Sequence, residues 1–72
     1  MELDKFYAKI ATKIKYYRKI QGLTQEKLSE KAGISVDYLG KIEICKNKPG
    51  IITIFKIVKA LNMTFAEFFI EM

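Results

Sequence analysis

Apolar residues recur at helical spacing along most of this chain, and the pattern predicts helices and no strands. A first helix is expected over about residues 5–20, with Phe6, Ile10, Ile14 and Tyr17 on one face. Two short helices are predicted over about residues 25–32 and about residues 36–44. The chain is therefore predicted to be all-α through its first two thirds.

Two more helices are predicted in the last third. Pro49 precedes a run whose apolar face consists of Ile54, Ile57, Val58 and Leu61. Thr64 and Glu67 have the spacing of a capping box, which predicts a fifth helix through about Glu71. This gives five helices in one domain spanning residues 1–72.

The junction between the second and third helices is the most informative segment. Thr24 and Ser35 are hydroxyl residues placed to cap the two helices, and Gly33 lies between them. Gly33 is expected to adopt the left-handed conformation that ends the second helix. Two short capped helices joined at a glycine predict a helix-turn-helix, whose second helix enters the major groove of DNA.

Composition excludes most other functions. The net charge of +5 suits a polyanionic partner, and no apolar run approaches the roughly 18 residues of a membrane span, so a cytoplasmic location is expected. With one cysteine, Cys45, and no histidine, neither a disulfide nor a zinc site is expected. The sequence offers no catalytic constellation, so we expect no enzyme, no cofactor and no small-molecule ligand.

These segments together resemble the Cro/repressor-type helix-turn-helix family, also called the XRE family. The resemblance covers about residues 8–70 and is carried by the segments 14–18, 22–28, 31–35, 38–43, 48–49 and 53–61. It implies a compact five-helix bundle like the lambda-repressor DNA-binding domain. It also implies that Gln25 binds a phosphate and that Arg18 and Glu43 form an ion pair joining the first helix to the third.

The chain departs from the family pattern at three places. Ile44 and Cys45 stand where a polar residue and then Gly are usual, so either the turn differs or a strained cysteine is accepted. Gly50 replaces a common Ser cap. Ser29 replaces a small Ala, and its hydroxyl is able to bond a backbone carbonyl.

The start of the third helix supplies the candidate base contacts, Val36, Asp37 and Lys41. Val suits a thymine methyl, Asp the cytosine amine and Lys a guanine edge. The alternative for Asp37 is that it only favours the helix N-terminus electrostatically. Gly40 either lets the backbone sit close to DNA or has no role.

A second set of residues is predicted to contact the DNA backbone on either side of the groove. The set comprises Thr24, Gln25, Ser35, Tyr38, Lys46 and Lys48. The alternative for the two lysines is a solvated loop.

The last third is more apolar than a monomer of this size needs, which predicts a dimer interface. We place it on Ile51, Ile52, Phe55 and Phe69. The alternative is that these residues fill a small core.

The leading hypothesis is a transcriptional regulator that binds a palindromic operator on double-stranded DNA as a homodimer. The alternative is a protein-interaction module, such as an antitoxin or adaptor, that uses the same bundle. Salt-dependent binding to duplex DNA discriminates between them. The sequence leaves open the operator, the regulated genes and whether the protein activates or represses.

Overall fold

The computed structural model describes residues 2–70, and within them every regular element is a helix. The five helices are α1 (Glu2–Ile20), α2 (Gln25–Ala32), α3 (Val36–Glu43), α4 (Ile51–Ala60) and α5 (Phe65–Phe69). The all-α prediction with five helices is confirmed.

Two predicted helix ends differ from the structure, by three residues and by one residue. Helix α1 begins at Glu2 rather than at about residue 5, since Glu2 and Asp4 in its first turn favour a helix N-terminus. Helix α3 ends at Glu43, one residue early. Helix α5 ends at Phe69 because Ile70 is extended, with φ −61° and ψ 138°; the predicted end, Glu71, lies outside the described residues.

All five helices contribute to one apolar core. Its fully buried side chains include Ile10, Ile14, Leu28, Leu39, Ile57, Val58, Leu61 and Phe68. The predicted faces of α1 and α4 therefore point inward, with one exception. Phe6 was assigned to the inner face of α1 and is instead 40% exposed, because it lies one helical turn before Ile10, beyond the edge of the core. Phe68 of α5 is fully buried in the core.

Hydrogen bonds fix α1 and α5 against the rest of the bundle. The Tyr7 hydroxyl donates to the Pro49 carbonyl at 2.8 Å, which holds the start of α1 beside the loop before α4. The Lys13 ammonium donates to the carbonyls of Phe68 at 2.7 Å and Ile70 at 2.9 Å, at the end of α5. The capping box is present at the other end of α5: the Thr64 hydroxyl accepts from the Glu67 amide at 3.1 Å, and the Thr64 amide donates to the Glu67 carboxylate at 2.8 Å. A five-residue helix is thereby held at both ends.

Candidate nucleic-acid interface

Helices α2 and α3 are both capped by hydroxyl side chains and joined at a left-handed glycine. The Thr24 hydroxyl accepts from the Lys27 amide and the Ser35 hydroxyl from the Tyr38 amide, each at 3.0 Å. Gly33 has φ 72° and ψ 32°, a conformation that costs a residue with a Cβ more than it costs glycine. The two helices meet through buried Leu28, Ala32 and Leu39 in the core. The α2–α3 unit therefore has the local geometry of a helix-turn-helix.

One buried ion pair fixes α3 relative to α1. The Arg18 guanidinium donates to both oxygens of the Glu43 carboxylate, from Nε at 2.8 Å and from Nη2 at 3.0 Å. The Glu43 side chain is 1% exposed and the Arg18 side chain 11%. A two-bond pairing of this kind fixes orientation as well as distance. It holds the end of α3 against α1.

Gln25, at the start of α2, joins the same network. Its Nε2 donates to the Glu43 carboxylate at 3.0 Å, and Arg18 also donates to the Leu23 carbonyl at 2.9 Å. The Gln25 side chain lies against Gly40, where an added Cβ would meet its amide at 3.8 Å. Gln25 thus positions α2 against α3, and one amide hydrogen and the carbonyl oxygen of its side chain have further bonding capacity.

The exposed side of α3 forms a shallow depression, which we call the recognition surface. Its lining residues are Gln25, Val36, Asp37, Gly40, Lys41, Ile44 and Lys46. The three predicted base-contacting residues are thus brought together here with two of the predicted backbone contacts. Asp37 and Lys41 form an exposed ion pair with 3.1 Å between Oδ2 and Nζ. Such pairs contribute little to stability in water, so these groups are able to exchange partners.

The other four predicted backbone contacts lie outside this lining. Thr24 and Ser35 are exposed, and each uses its oxygen as an acceptor in a helix cap. The Tyr38 ring packs against the core and is only partly exposed. Lys48 pairs with Asp4 at 3.0 Å, at the first turn of α1. The structure therefore separates Lys46, beside α3, from Lys48, beside α1.

In the turn after α3, Cys45 adopts the strained conformation that is usually taken by glycine. Cys45 has φ 63°, in the left-handed region that favours glycine. Its amide donates to the Ile42 carbonyl at 3.1 Å, and the Lys46 amide donates to the Lys41 carbonyl at 2.8 Å. These bonds close the helix as a glycine would, so the chain accepts a modest strain at Cys45 instead of adopting another turn.

The other two departures from the family pattern have simpler outcomes. The buried Ser29 hydroxyl donates to the Glu26 carbonyl at 2.9 Å, so it brings no unsatisfied polar group into the contact between helices. Gly50 caps α4 without a side-chain hydrogen bond.

Ile44 is the lining residue that sequence reasoning missed. It is 60% exposed and follows Val36 and Gly40 at intervals of four residues. That spacing places all three on one side of a helix, and extending the apolar count outward from Val36 would have found it.

Among residues 2–70, no helix has the length and apolarity needed to cross a membrane.

Comparison with known proteins agrees with this geometry. The helix-turn-helix family, HTH_3, matches residues 14–68. An HTH-type transcriptional regulator of Methanocaldococcus jannaschii is 40% identical over 58 residues, covering 81% of this chain and 88% of that protein. A second HTH-type regulator, from Sinorhizobium fredii, is 34% identical over 50 residues, and the match spans 69% of this chain and 65% of that protein.

Solved structures of restriction-modification controller proteins have the same fold. C.Esp1396I, crystallised as a tetramer in complex with its natural 35-base-pair operator, superposes with a TM-score of 0.85 at 30% identity, covering 88% of this chain and 83% of that one. C.AhdI from Aeromonas hydrophila superposes with a TM-score of 0.84 at 26% identity, covering 90% and 98% of the two chains. With a family match over more than half its length, this chain belongs to the helix-turn-helix family of the Cro/repressor, or XRE, type.

Proposed function

We propose that this protein is a transcriptional regulator that binds a specific DNA sequence through α3, as a homodimer on a palindromic operator in the cytoplasm. The observation that carries the proposal is the grouping of Val36, Asp37 and Lys41 on the exposed side of α3, which is the second helix of the helix-turn-helix and is capped and held by the Arg18–Glu43 ion pair. This is the helix that enters the major groove in helix-turn-helix proteins. The proposal includes no catalytic activity.

The chemistry of these side chains suits base edges. Val36 is 42% exposed and offers a methyl contact to thymine. The Lys41 ammonium is a donor for guanine O6 and N7, and the Asp37 carboxylate an acceptor for the cytosine amine. A G·C pair presents an acceptor, guanine O6, beside a donor, the cytosine amine. The Lys41 donor and the Asp37 acceptor likewise lie side by side, with 3.1 Å between Nζ and Oδ2. The Asp37–Lys41 pair is therefore expected to exchange its internal contact for a G·C edge.

The backbone contacts are proposed on both sides of α3. Lys46 in the turn after the helix and the hydroxyl of Ser35 at its start are exposed and flank the base-contacting residues. Thr24 and Gln25 lie at the start of α2, where amides and the helix dipole favour a phosphate. Tyr38 through its hydroxyl, and Lys48 after release from Asp4, complete the proposed set.

The size of the chain and its exposed apolar residues support the proposed homodimer. Recognition helices in a dimer enter major grooves about 34 Å apart, whereas one copy of this chain measures 31 × 24 × 21 Å. Ile51, Ile52 and Phe55 on α4 are 63%, 71% and 51% exposed, and Phe69 is partly exposed beside them on α5. An apolar surface of this kind supports the proposed interface.

The same exposed apolar surface also favours the second candidate, a protein-interaction module such as an antitoxin or adaptor. The two candidates differ in how DNA binding depends on salt. Each phosphate neutralised by Lys or Arg releases counterions, so log affinity falls with log salt at a slope of about −0.9 per contact on duplex DNA.

The deciding experiment measures this slope after the bound sequence has been identified. Sequences are selected from a random duplex pool, and fluorescence anisotropy follows binding between 50 and 200 mM salt, a range in which four lysine–phosphate contacts, two from each copy, change affinity by about 10²-fold. A selected palindrome with a steep slope supports the regulator. No selected sequence and no salt-dependent binding would assign the protein to the interaction class.

A further inference from the structure

A continuous row of aromatic rings connects α4, α5 and the start of α1. Phe55 contacts Phe65 with 5.8 Å between ring centroids, and Phe65 contacts Phe69 at 5.4 Å. Phe69 in turn stacks on Phe6 at 6.3 Å, with 9° between the ring planes. The exposed apolar surface of α4 therefore extends across α5 onto α1.

The first two turns of α1 are also held close to the start of α4. The Tyr7 hydroxyl bonds the Pro49 carbonyl, and Asp4 pairs with Lys48, in the loop that leads into α4. Leu3 lies three residues before Phe6, on the same side of α1. We call the resulting surface the aromatic face; its members are Leu3, Phe6, Ile51, Ile52, Phe55, Phe65 and Phe69.

We propose that the first two turns of α1, through Leu3 and Phe6, form part of the homodimer interface, and that the aromatic face is covered by a second copy of this chain. The inference rests on the proposed function, which requires two copies. It adds a third helix, which the sequence assigned to the core, to an interface expected on α4 and α5 alone.

The area needed by a stable dimer supports the larger interface. Such interfaces bury about 800 Å² on each partner, whereas a large aromatic side chain provides about 150–250 Å² even when fully exposed. The expected interface consists of Ile51, Ile52, Phe55 and Phe69, which are each only partly exposed, so these four supply only part of that area. Leu3 at 53% and Phe6 at 40% exposure enlarge the same continuous surface.

The lack of charge among the members of the face is compatible with pairing to a second copy. A two-fold interface brings identical surfaces together, so a charged patch near the axis meets its own sign. All seven members of the aromatic face are uncharged. The face therefore pairs with itself without like-charge repulsion among its members.

The test compares Leu3→Asp and Phe6→Asp with a control on the same helix, Ile20→Asp. Ile20 is 60% exposed at the opposite end of α1, outside the aromatic face. Leu3→Asp is the deciding variant, because an acidic residue in the first turn suits the helix dipole and leaves α1 intact. Circular dichroism verifies the fold, and sedimentation over a range from about 1 to 300 µM gives the dimer dissociation constant, a range suited to a change of two orders of magnitude.

We expect each variant to raise the dimer dissociation constant at least tenfold, while Ile20→Asp leaves it at the wild-type value. A folded Leu3→Asp protein that dimerises as tightly as the wild type would overturn the inference. If Phe55→Asp dissociates the dimer in the same series, the proposed function survives and only the role of α1 is rejected. A wild-type protein that stays monomeric on its palindrome rejects the dimer itself along with this interface. The same holds if the wild-type protein is monomeric and floats with anionic vesicles in a flotation assay, because the face would then bind a membrane and not a second copy.

Discussion

On the recognition surface and behind it, polar side chains are held by other polar side chains, whereas the aromatic face is built on contacts between rings. Glu43 accepts hydrogen bonds from Arg18 and from Gln25, and Asp37 pairs with Lys41. Phe6 contacts Phe69 and remains 40% exposed, and Phe55 contacts Phe65 and remains 51% exposed. A polar network fixes the relative orientation of the groups that it joins. Apolar contacts contribute in proportion to the area they bury and fix orientation only weakly.

This difference suits two different tasks. A base edge rejects a donor or acceptor that is displaced by a fraction of a hydrogen-bond length, so α3 needs a fixed orientation. In a two-fold dimer each contact occurs twice, so an apolar face is able to hold the proposed partner copy without a directional polar network. Substitutions in the network should therefore affect folding and DNA reading, and substitutions in the aromatic face should affect assembly.

The largest effect is expected when the buried ion pair is broken on one side. Arg18→Met removes the guanidinium and leaves the Glu43 carboxylate, which is 1% exposed, with only the Gln25 amide. An uncompensated buried charge costs about 3–5 kcal/mol of the free energy of unfolding. Urea denaturation measures this loss, and the double variant Arg18→Met, Glu43→Leu should recover much of it. An unchanged midpoint in the single variant would show that the pair does not hold α3.

The next effect is expected on assembly. Phe55→Asp removes a half-exposed ring from the proposed interface and introduces a carboxylate twice, once in each copy. Burying a Phe is worth about 1.5–3 kcal/mol, and half of that in each of two copies gives a similar total. We expect a folded monomer with weak operator binding, measured by sedimentation and anisotropy. Ile20→Asp is the control, and a dimer that tolerates Phe55→Asp would place the interface elsewhere.

The helices and the core of the recognition unit were predictable because their signals are local. Capping hydroxyls at Thr24 and Ser35, and the apolar spacing of Leu28 and Leu39, depend only on neighbouring residues. The fate of Phe6 was not predictable in this way. Its spacing continues the core stripe of α1, and only tertiary packing decides that Phe6 stacks on Phe69 and stays 40% exposed while Ile10 is fully buried.

The side-chain pairs show the same limit. The four-residue spacing of Asp37 and Lys41 makes contact between them possible, but the same spacing permits both to point at DNA. The pairing of Lys48 with Asp4 crosses 44 positions of the chain, and no local pattern indicates it. Sequence therefore locates the recognition helix and its exposed residues, while the internal partners of those residues come from tertiary structure.

A third prediction concerns base reading on the recognition surface. Lys41→Ala should weaken binding to the selected operator by about 1–3 kcal/mol and relax the preference at one base pair, with little change on random DNA. Anisotropy with both DNAs, and repeated selection with the variant, measure the difference. Lys46→Ala is the comparison, since a phosphate contact weakens both DNAs alike and lowers the salt slope by about one contact. If Lys41→Ala behaves in that way too, Lys41 contacts a phosphate and not a base.

The smallest effect is expected from Gly40→Ala, a substitution that should change the free energy of unfolding and the affinity for the operator in opposite directions. An Ala there meets the Gln25 amide at an ordinary contact distance of 3.8 Å, so the fold has room for the added methyl. Since Gly in a helix costs about 1 kcal/mol relative to Ala, Gly40→Ala should raise the free energy of unfolding by about that amount. If Gly40 lets the backbone of α3 approach DNA closely, operator affinity should fall severalfold at the same time. Cys45→Gly is the matched control, because it relaxes a φ of 63° and removes a side chain outside the lining of the recognition surface. Denaturation and anisotropy of both variants decide the point: a Gly40→Ala protein that is more stable and binds the operator as well as the wild type would show that the missing side chain has no role in DNA binding.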